Sequence, residues 1–136
     1  MAWDLFDWKR RAVQAVKYGL RFGPRICLAC IALLSLVPGP LRPHTGLPGQ
    51  KEHFLAYFLT ALVLGSKPRE QLSYRASVAA ALCAYAGVLE TLQIWVPGRS
   101  AQLIDFAASS GGAIGGVVVS AVFWGLQTSL AARPKN

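Results

Sequence analysis

YAGVLETLQIWVPGRSAQLIDFAASSGGAIGG, residues 85–116, consists of two apolar runs on either side of a short break. Pro97-Gly98 stops the first run, and such a dipeptide ends helices and starts turns. We therefore predict two apolar helices joined by a tight loop, with Ser100 capping the second helix. The charged residues of the stretch are Glu90, Arg99 and Asp105. Because ionisable groups are costly near hydrocarbon, their presence in membrane helices indicates a functional site.

The composition of the whole chain indicates a membrane protein. Its 136 residues are 54% hydrophobic and 15% charged, and the mean hydropathy is +0.40. Soluble domains carry about 25% charged residues, so this chain has less solvated surface than an ordinary soluble domain. The length indicates a single domain.

The apolar runs predict an all-α fold, namely a bundle of four transmembrane helices preceded by an amphipathic helix at the membrane interface. The predicted spans are about 22–37, 51–66, 76–95 and 102–126. The first two are shorter than the ~20 residues that usually cross a bilayer, and snorkelling basic residues can extend the first. Residues 2–20 combine apolar positions at helical spacing with many Lys and Arg, which is typical of an interfacial helix.

Two alternatives concern the N-terminal part of the chain. A cleaved signal peptide also has basic residues followed by a short apolar core, but LSLVPGP (34–40) has no small-x-small cleavage site, which favours retention. A frayed basic tail is the alternative to the interfacial helix.

Most basic residues lie on one side of the predicted membrane. Of the 14 Lys and Arg, only Arg42, Lys51 and Arg99 fall in the two loops of the other side. By the positive-inside rule, this distribution predicts that both termini are cytoplasmic. The net charge of +8 is spread around the apolar runs, so it does not indicate nucleic-acid binding. Anionic membrane lipids are the expected partners of the basic side.

One face of each of the last three helices carries small or polar residues at helical spacing. These faces are His53, Tyr57, Thr60 and Leu64; Ala79, Cys83, Ala86, Glu90 and Gln93; and Asp105, Ser109, Gly112, Gly116 and Ser120. Residues at such spacing share a helix side, and small side chains allow membrane helices to approach closely. With the predicted topology, each face ends in a polar group at the extracytoplasmic side.

The polar residues at that side predict a binding or catalytic site. Arg99, with His53 or Lys51, offers hydrogen-bond donors for a phosphate or carboxylate. The candidate substrate-binding residues are Arg99, Gln93, Ser100, Tyr57 and Lys51. A histidine with two carboxylates can perform acid–base chemistry on a lipid-linked substrate, so the candidate catalytic residues are His53, Glu90 and Asp105. In the purely structural alternative, Glu90 or Asp105 pairs with Arg99.

The sequence favours neither a metal nor another cofactor. His53, Glu90 and Asp105 could in principle hold a metal, but zinc sites usually contain more His or Cys. A second functional hypothesis rests on the overlapping G-x-x-x-G pairs Gly111/Gly115 and Gly112/Gly116. It assigns the chain to a non-enzymatic membrane module that packs with other envelope proteins through glycine-rich helix faces. The sequence does not predict an oligomeric state.

Three segments resemble the VanZ-like family of small bacterial membrane proteins. They are LSLVPG, EHFLAYFLTALVLG and YAGVLETLQIWVPGRSAQLIDFAASSGGAIGG, which together cover most of residues 34–116. The residues at the family's motif positions are His53, Tyr57, Glu90, Gln93, Arg99, Ser100 and Asp105. The chain departs from the family where Asp-Lys often precedes the His, here Gly49-Gln50-Lys51-Glu52, and where Asn often follows the Asp, here Ser109.

The resemblance implies a multi-pass protein of the bacterial cytoplasmic membrane. The family's namesake is associated with resistance to teicoplanin, a glycopeptide that acts on cell-wall precursors at the outer membrane face. We therefore expect a site that binds or acts on an anionic lipid or a lipid-linked cell-envelope precursor, with a link to glycopeptide resistance.

Overall fold

The computed structural model describes residues 2–42, 46–66 and 71–131, which are helical almost throughout and contain no strand. The elements in chain order are α1 (Ala2–Leu36), a 3-10 turn (Gly39–Leu41), α2 (Gly49–Gly65), α3 (Leu72–Gln93) and α4 (Leu103–Ala131). The predicted all-α class is confirmed. The short 3-10 turn follows α1 directly and begins the connection to α2.

The N-terminal part of the chain is one helix where the sequence predicted two elements. α1 continues through the predicted interfacial helix and the predicted first span, with Pro24 inside it. The predicted interfacial helix ends at residue 20 and the predicted first span begins at residue 22, and no turn or capping sequence lies between them. Extending an existing helix costs far less than starting a new one, so the helix propagates across the predicted boundary.

The start of α4 differs from the prediction that Ser100 caps it. The main-chain N–H groups of Asp105 and Phe106 donate to the carbonyl of Gln102, so Gln102 is the N-cap residue. The N–H of Gln102 donates to Glu90 Oε2 at 3.1 Å. Ser100 is exposed and lies outside the helix. Glu90, in the last turn of α3, therefore accepts an N–H group at the start of α4, which is the role predicted for Ser100.

α2 and α4 are in close contact because two glycines of α4 face the α2 backbone. A Cβ at Gly112 would overlap the carbonyl group of Phe54, and one at Gly116 would overlap that of Phe58. This confirms the predicted close helix contact. It also means that Gly112 and Gly116 are covered within the chain, so a partner protein would have to use other faces.

The interior of the bundle contains small and polar side chains as well as apolar ones. The buried polar residues of the predicted faces are His53, Thr60, Glu90, Gln93, Ser109 and Ser120. Large apolar side chains of α4 instead lie on the outside: Val118, Val119, Val122, Phe123, Leu126 and Leu130. An apolar surface of this extent is typical of contact with a membrane or another protein.

Among the described residues, two helices, α3 and α4, are long and apolar enough to cross a membrane by length and composition. Their most apolar windows have mean hydropathies of 1.3 and 1.7. Only 28% and 33% of these windows is buried within the chain, whereas the core helix of a soluble protein would be mostly buried. Phe22–Leu36 of α1 is a shorter apolar helical segment.

Candidate functional site

Three helices bring ionisable side chains together at one end of the bundle. His53 lies in the first turns of α2, Glu90 in the last turn of α3, and Asp105 in the first turn of α4. One potential ligand atom from each side chain lies within 4.8 Å of the others. We call these three residues the polar cluster. Its members are the three residues that the sequence nominated as catalytic.

The polar cluster leaves two buried atoms without hydrogen-bond partners. His53 Nε2 lies 3.9 Å from Asp105 Oδ2, which is too long for a hydrogen bond. Among the described residues, His53 Nε2 and Asp105 Oδ1 are both buried and unpartnered. Buried polar atoms normally have a partner, because leaving them without one costs about 1–3 kcal/mol each. The cluster therefore has capacity for a group that the protein chain does not supply.

Glu90 connects α3 to the beginning of α4. Its side chain is buried, and its Oε2 accepts the N–H of Gln102. A carboxylate beside a helix N-terminus is stabilised by the unpaired N–H groups there. This contact fixes the position of Glu90 relative to Asp105, which lies one turn further along.

Arg99 does not form the ion pair with Glu90 or Asp105 that the structural alternative predicted. Its Nε donates to the carbonyl of Val37 at 3.2 Å, and its Nη2 donates to that of Leu34 at 2.6 Å. These carbonyls belong to the end of α1, where a positive charge is favourable. Arg99 thus attaches the loop between α3 and α4 to α1.

The environment of Arg99 lowers its pKa below the ordinary value. Burial of the guanidinium is the main cause, and the nearby charge of Arg42 acts in the same direction. The carboxylates of Asp105, Glu90 and Glu52 partly oppose this effect. Because guanidinium is a very strong base, the group remains charged at neutral pH. The charge therefore persists in a partly desolvated place, where a bound anion gains most from it.

A cavity of about 240 Å³ lies between α1, α2 and the loops at this end of the bundle. Its polar lining consists of Ser35, Arg42, Glu52, His53, Tyr57 and Arg99. Its apolar lining consists of Ile31, Leu34 and Ala56. His53 belongs to both the cavity and the polar cluster, so it connects the two.

Arg42 and Glu52 are cavity residues that the sequence analysis did not nominate. They form an ion pair with each other at the N-terminus of α2. The signal for Arg42 was present, since it is one of three basic residues predicted on this side. Lys51 was nominated instead, and the structure places it on the exposed surface away from the cavity. The reason is helical geometry, because a residue two positions before His53 points to the opposite side of α2.

The remaining nominated residues have different positions. Tyr57 is buried and lines the cavity. Gln93 is buried one turn beyond Glu90, away from the cavity, and its Nε2 has no partner among the described residues. Ser100 is exposed, and its Oγ accepts the side-chain N–H of Gln102 at 3.3 Å. The cavity therefore contains Arg99 and Tyr57 from the predicted binding set, but not Lys51, Gln93 or Ser100.

Comparison of the chain with protein-family models, with curated proteins and with solved structures finds no match. The resemblance of the three motif segments to the VanZ-like family accordingly stays a prediction.

Proposed function

We infer that the chain is a four-span protein of the bacterial cytoplasmic membrane whose extracytoplasmic site binds an anionic lipid or a lipid-linked cell-envelope precursor. In this arrangement α3 and α4 cross the membrane, and the apolar part of α1 and all of α2 complete the bundle. The VanZ-like motifs support the same arrangement and the link to cell-wall precursors and glycopeptide resistance.

The charge distribution supports the orientation. The polar cluster and the cavity lie at the end of the bundle formed by the end of α1, the start of α2, the end of α3 and the start of α4. Most Lys and Arg belong to the N-terminal part of α1, the connection between α2 and α3, and the C-terminus. With those segments in the cytoplasm, the cavity faces the outer leaflet.

The observation that carries the binding proposal is the combination of two arginines with an apolar wall in one cavity. Among the described residues of the cavity lining, the two arginines Arg42 and Arg99 outnumber the one carboxylate, that of Glu52. Guanidinium groups bind phosphate and carboxylate through paired hydrogen bonds. The two bonds that Arg99 makes to α1 leave further N–H donors of its five for a ligand. The lining therefore suits a negatively charged head group.

The size of the cavity supports a head group rather than a whole lipid. Pockets for complete small-molecule ligands usually measure about 300–1,000 Å³, and this cavity is smaller. Leu34, in the apolar wall, is 53% exposed on the outside of the bundle. A lipid held by its head group at Arg42 and Arg99 would lay its chain along this apolar surface.

Lipid retention by the purified full-length protein tests the binding proposal. The probes are undecaprenyl phosphate and phosphatidylglycerol, compared with zwitterionic phosphatidylcholine, and retention is measured by native mass spectrometry. We expect the wild type to prefer the anionic lipids by about tenfold or more. Arg42→Gln and Arg99→Gln should reduce this preference. Lys51→Gln is the matched control, because Lys51 is an exposed cation at the same end of the bundle but outside the cavity lining. Equal retention of all three lipids, or a preference that survives both cavity variants, would contradict the proposal.

A genetic comparison asks whether the site also modifies what it binds. A deletion strain is complemented with the wild type or with Asp105→Asn, and its lipids and cell-wall precursors are profiled. If the polar cluster carries out acid–base chemistry, the Asp105→Asn strain should show the profile of the deletion strain. If Asp105→Asn restores the wild-type profile, the site binds without modifying.

A further inference from the structure

The polar cluster contains one buried carboxylate, Glu90, and one partly buried carboxylate, Asp105, which lie close together. Among the described residues, neither Glu90 nor Asp105 forms an ion pair with Lys or Arg. The nearest arginine in sequence, Arg99, donates to carbonyls of α1 instead. Two carboxylates in close proximity repel each other, and burial increases that cost. Positive charge at the centre of the cluster would therefore be favourable.

The side chain of His53 places an unpartnered ring nitrogen, Nε2, close to the carboxylates of the polar cluster. The residue is 9% exposed, and its Nε2 faces Asp105 Oδ2 without bonding to it. An imidazole nitrogen that is buried, oriented and unpartnered is a ready ligand for a metal ion. This observation is independent of the two carboxylates and indicates the same centre.

The geometry points to a divalent metal site formed by His53, Glu90 and Asp105. Ligands bound to one ion at about 2.1 Å lie no more than about 4.2 Å apart. The three ligand atoms are now within 4.8 Å of one another. A contraction of the order of 1 Å, within reach of side-chain rotation, would complete the site.

The ligand types select among divalent ions. Ca²⁺ and Mg²⁺ prefer all-oxygen sites, whereas imidazole favours transition metals and carboxylates favour harder ions such as Mn²⁺. One nitrogen and two oxygen ligands therefore suit Zn²⁺ or Mn²⁺. Three protein ligands leave at least one coordination position open, which is the arrangement of sites where metals bind or activate a ligand.

The surroundings of the cluster provide the support that a metal site needs. The N–H of Gln102 holds Glu90 in place, as outer hydrogen bonds commonly do for metal ligands. Glu90 borders an open groove between α3 and the start of α4, and His53 borders the cavity with Arg42 and Arg99. An ion could therefore reach the cluster, and a head group in the cavity would lie next to it. The metal site itself does not depend on the proposed lipid binding.

Metal retention by the purified protein tests this inference without any lipid substrate. The full-length protein, with its affinity tag removed, is treated with chelator in detergent. It is then incubated with Zn²⁺ or Mn²⁺ and desalted, and bound metal is measured by inductively coupled plasma mass spectrometry. We expect about one ion per chain for at least one of the two metals. His53→Ala, His53→Gln and Asp105→Asn should each weaken binding by at least about tenfold.

Three controls separate this site from other metal-binding groups. Glu52→Gln removes a carboxylate near the cluster but outside it, and Asp7→Asn removes an exposed one, so both should retain the metal. The double variant Cys27→Ser/Cys30→Ser removes the two free thiols of α1 that could bind Zn²⁺. It should also retain the metal. Helix content and gel filtration verify that each variant is folded, and either His53 variant suffices if the other aggregates.

The results that would refute the metal site can be told apart from those that would refute lipid binding. If the wild type retains neither ion, or if the variants of His53 and Asp105 bind as well as the wild type, the metal site is refuted. Loss of Zn²⁺ only in the cysteine variant would refute it as well. Anionic-lipid retention by the chelator-treated wild type is measured separately, so either proposal can fail while the other stands.

Discussion

His53 Nε2 on α2 lies 3.9 Å from Asp105 Oδ2 on α4, at the end of the bundle that also contains the cavity. The two helices maintain this spacing because the glycines of α4 allow their backbones to touch. His53 faces the cluster through Nε2 and also lines the cavity beside Arg99. Packing between α2 and α4 therefore determines the geometry of the site.

Replacing Gly112 or Gly116 with alanine should destabilise the protein. In each case the new methyl group would overlap the α2 backbone, which cannot move aside as a side chain can. We expect a loss of about 1–3 kcal/mol, measured by thermal or denaturant unfolding in detergent. Gly125→Ala is the matched control on the same helix, because no described residue outside its own helix turn lies within 4 Å of its Cβ position. That variant should be neutral or slightly more stable, since alanine favours helix. Equal stability of all three variants would contradict the close contact between α2 and α4.

Gly98→Ala should disturb the loop that positions Arg99. Gly98 has a φ of 72°, which is strained for alanine, and its Cβ would lie 3.2 Å from Pro40 Cδ. The strain alone corresponds to about 1–2 kcal/mol. Because the neighbouring Pro97 carbonyl accepts the N–H of Gly39, the distortion should also reach the loop after α1. We expect lower stability and weaker retention of anionic lipid. Gly19→Ala, with no described residue near its Cβ position, should lower neither, and an unaffected Gly98→Ala would refute this role of the loop.

Arg42 and Glu52 should have opposite effects on the binding of an anionic head group. Arg42→Gln removes positive charge from the cavity and should weaken retention of undecaprenyl phosphate. Glu52→Gln removes the one carboxylate among the described residues of the cavity lining and leaves Arg42 available, so retention should increase. A change of about fivefold in each direction, or ~1 kcal/mol, is expected and should shrink at high salt. Changes of the same sign in both variants would show that the cavity does not recognise charge.

Arg99→Ala should weaken the attachment of the α3–α4 loop to α1. The variant loses the hydrogen bonds from Arg99 to the carbonyls of Leu34 and Val37. Hydrogen bonds from charged groups contribute about 1.5–3 kcal/mol, and the cost of burying the guanidinium offsets part of this. We expect a net loss of about 1–2 kcal/mol in unfolding experiments. Arg99→Lys should recover part of it through a single bond. If Arg99→Ala unfolds like the wild type, the contacts to α1 are not stabilising.

The helix faces were the part of the structure that the sequence predicted best. Thr60 of α2, Gln93 of α3 and Ser120 of α4 were expected on interior faces, and all are buried. Their spacing reports the side of the helix directly, since residues three or four apart lie on one side. The convergence of His53, Glu90 and Asp105 followed from these faces together with the alternating directions of the helices.

Details that depend on loops and on helix ends were not predictable in the same way. Ser100 was a reasonable cap by residue type, but tertiary contact with Glu90 places the helix start at Gln102 instead. Arg42 reaches the cavity from a loop, where no periodicity indicates direction. The continuity of α1 was missed because its basic amphipathic segment and its apolar segment differ in composition, although nothing between them interrupts the helix. In each case a contact distant in sequence, or cooperative helix extension, decided the outcome.

Cysteine labelling from the two sides of the membrane tests the orientation of the site most directly. Cys27, Cys30 and Cys83 are first replaced by serine, and Ser100 and Ser73 are then changed to cysteine one at a time. Both are exposed, and they lie at opposite ends of α3. In spheroplasts with an intact cytoplasmic membrane, a membrane-impermeant maleimide should label Ser100→Cys. Ser73→Cys should react only after the membrane is permeabilised. Labelling of Ser73→Cys from outside, with Ser100→Cys protected until permeabilisation, would contradict an extracytoplasmic site.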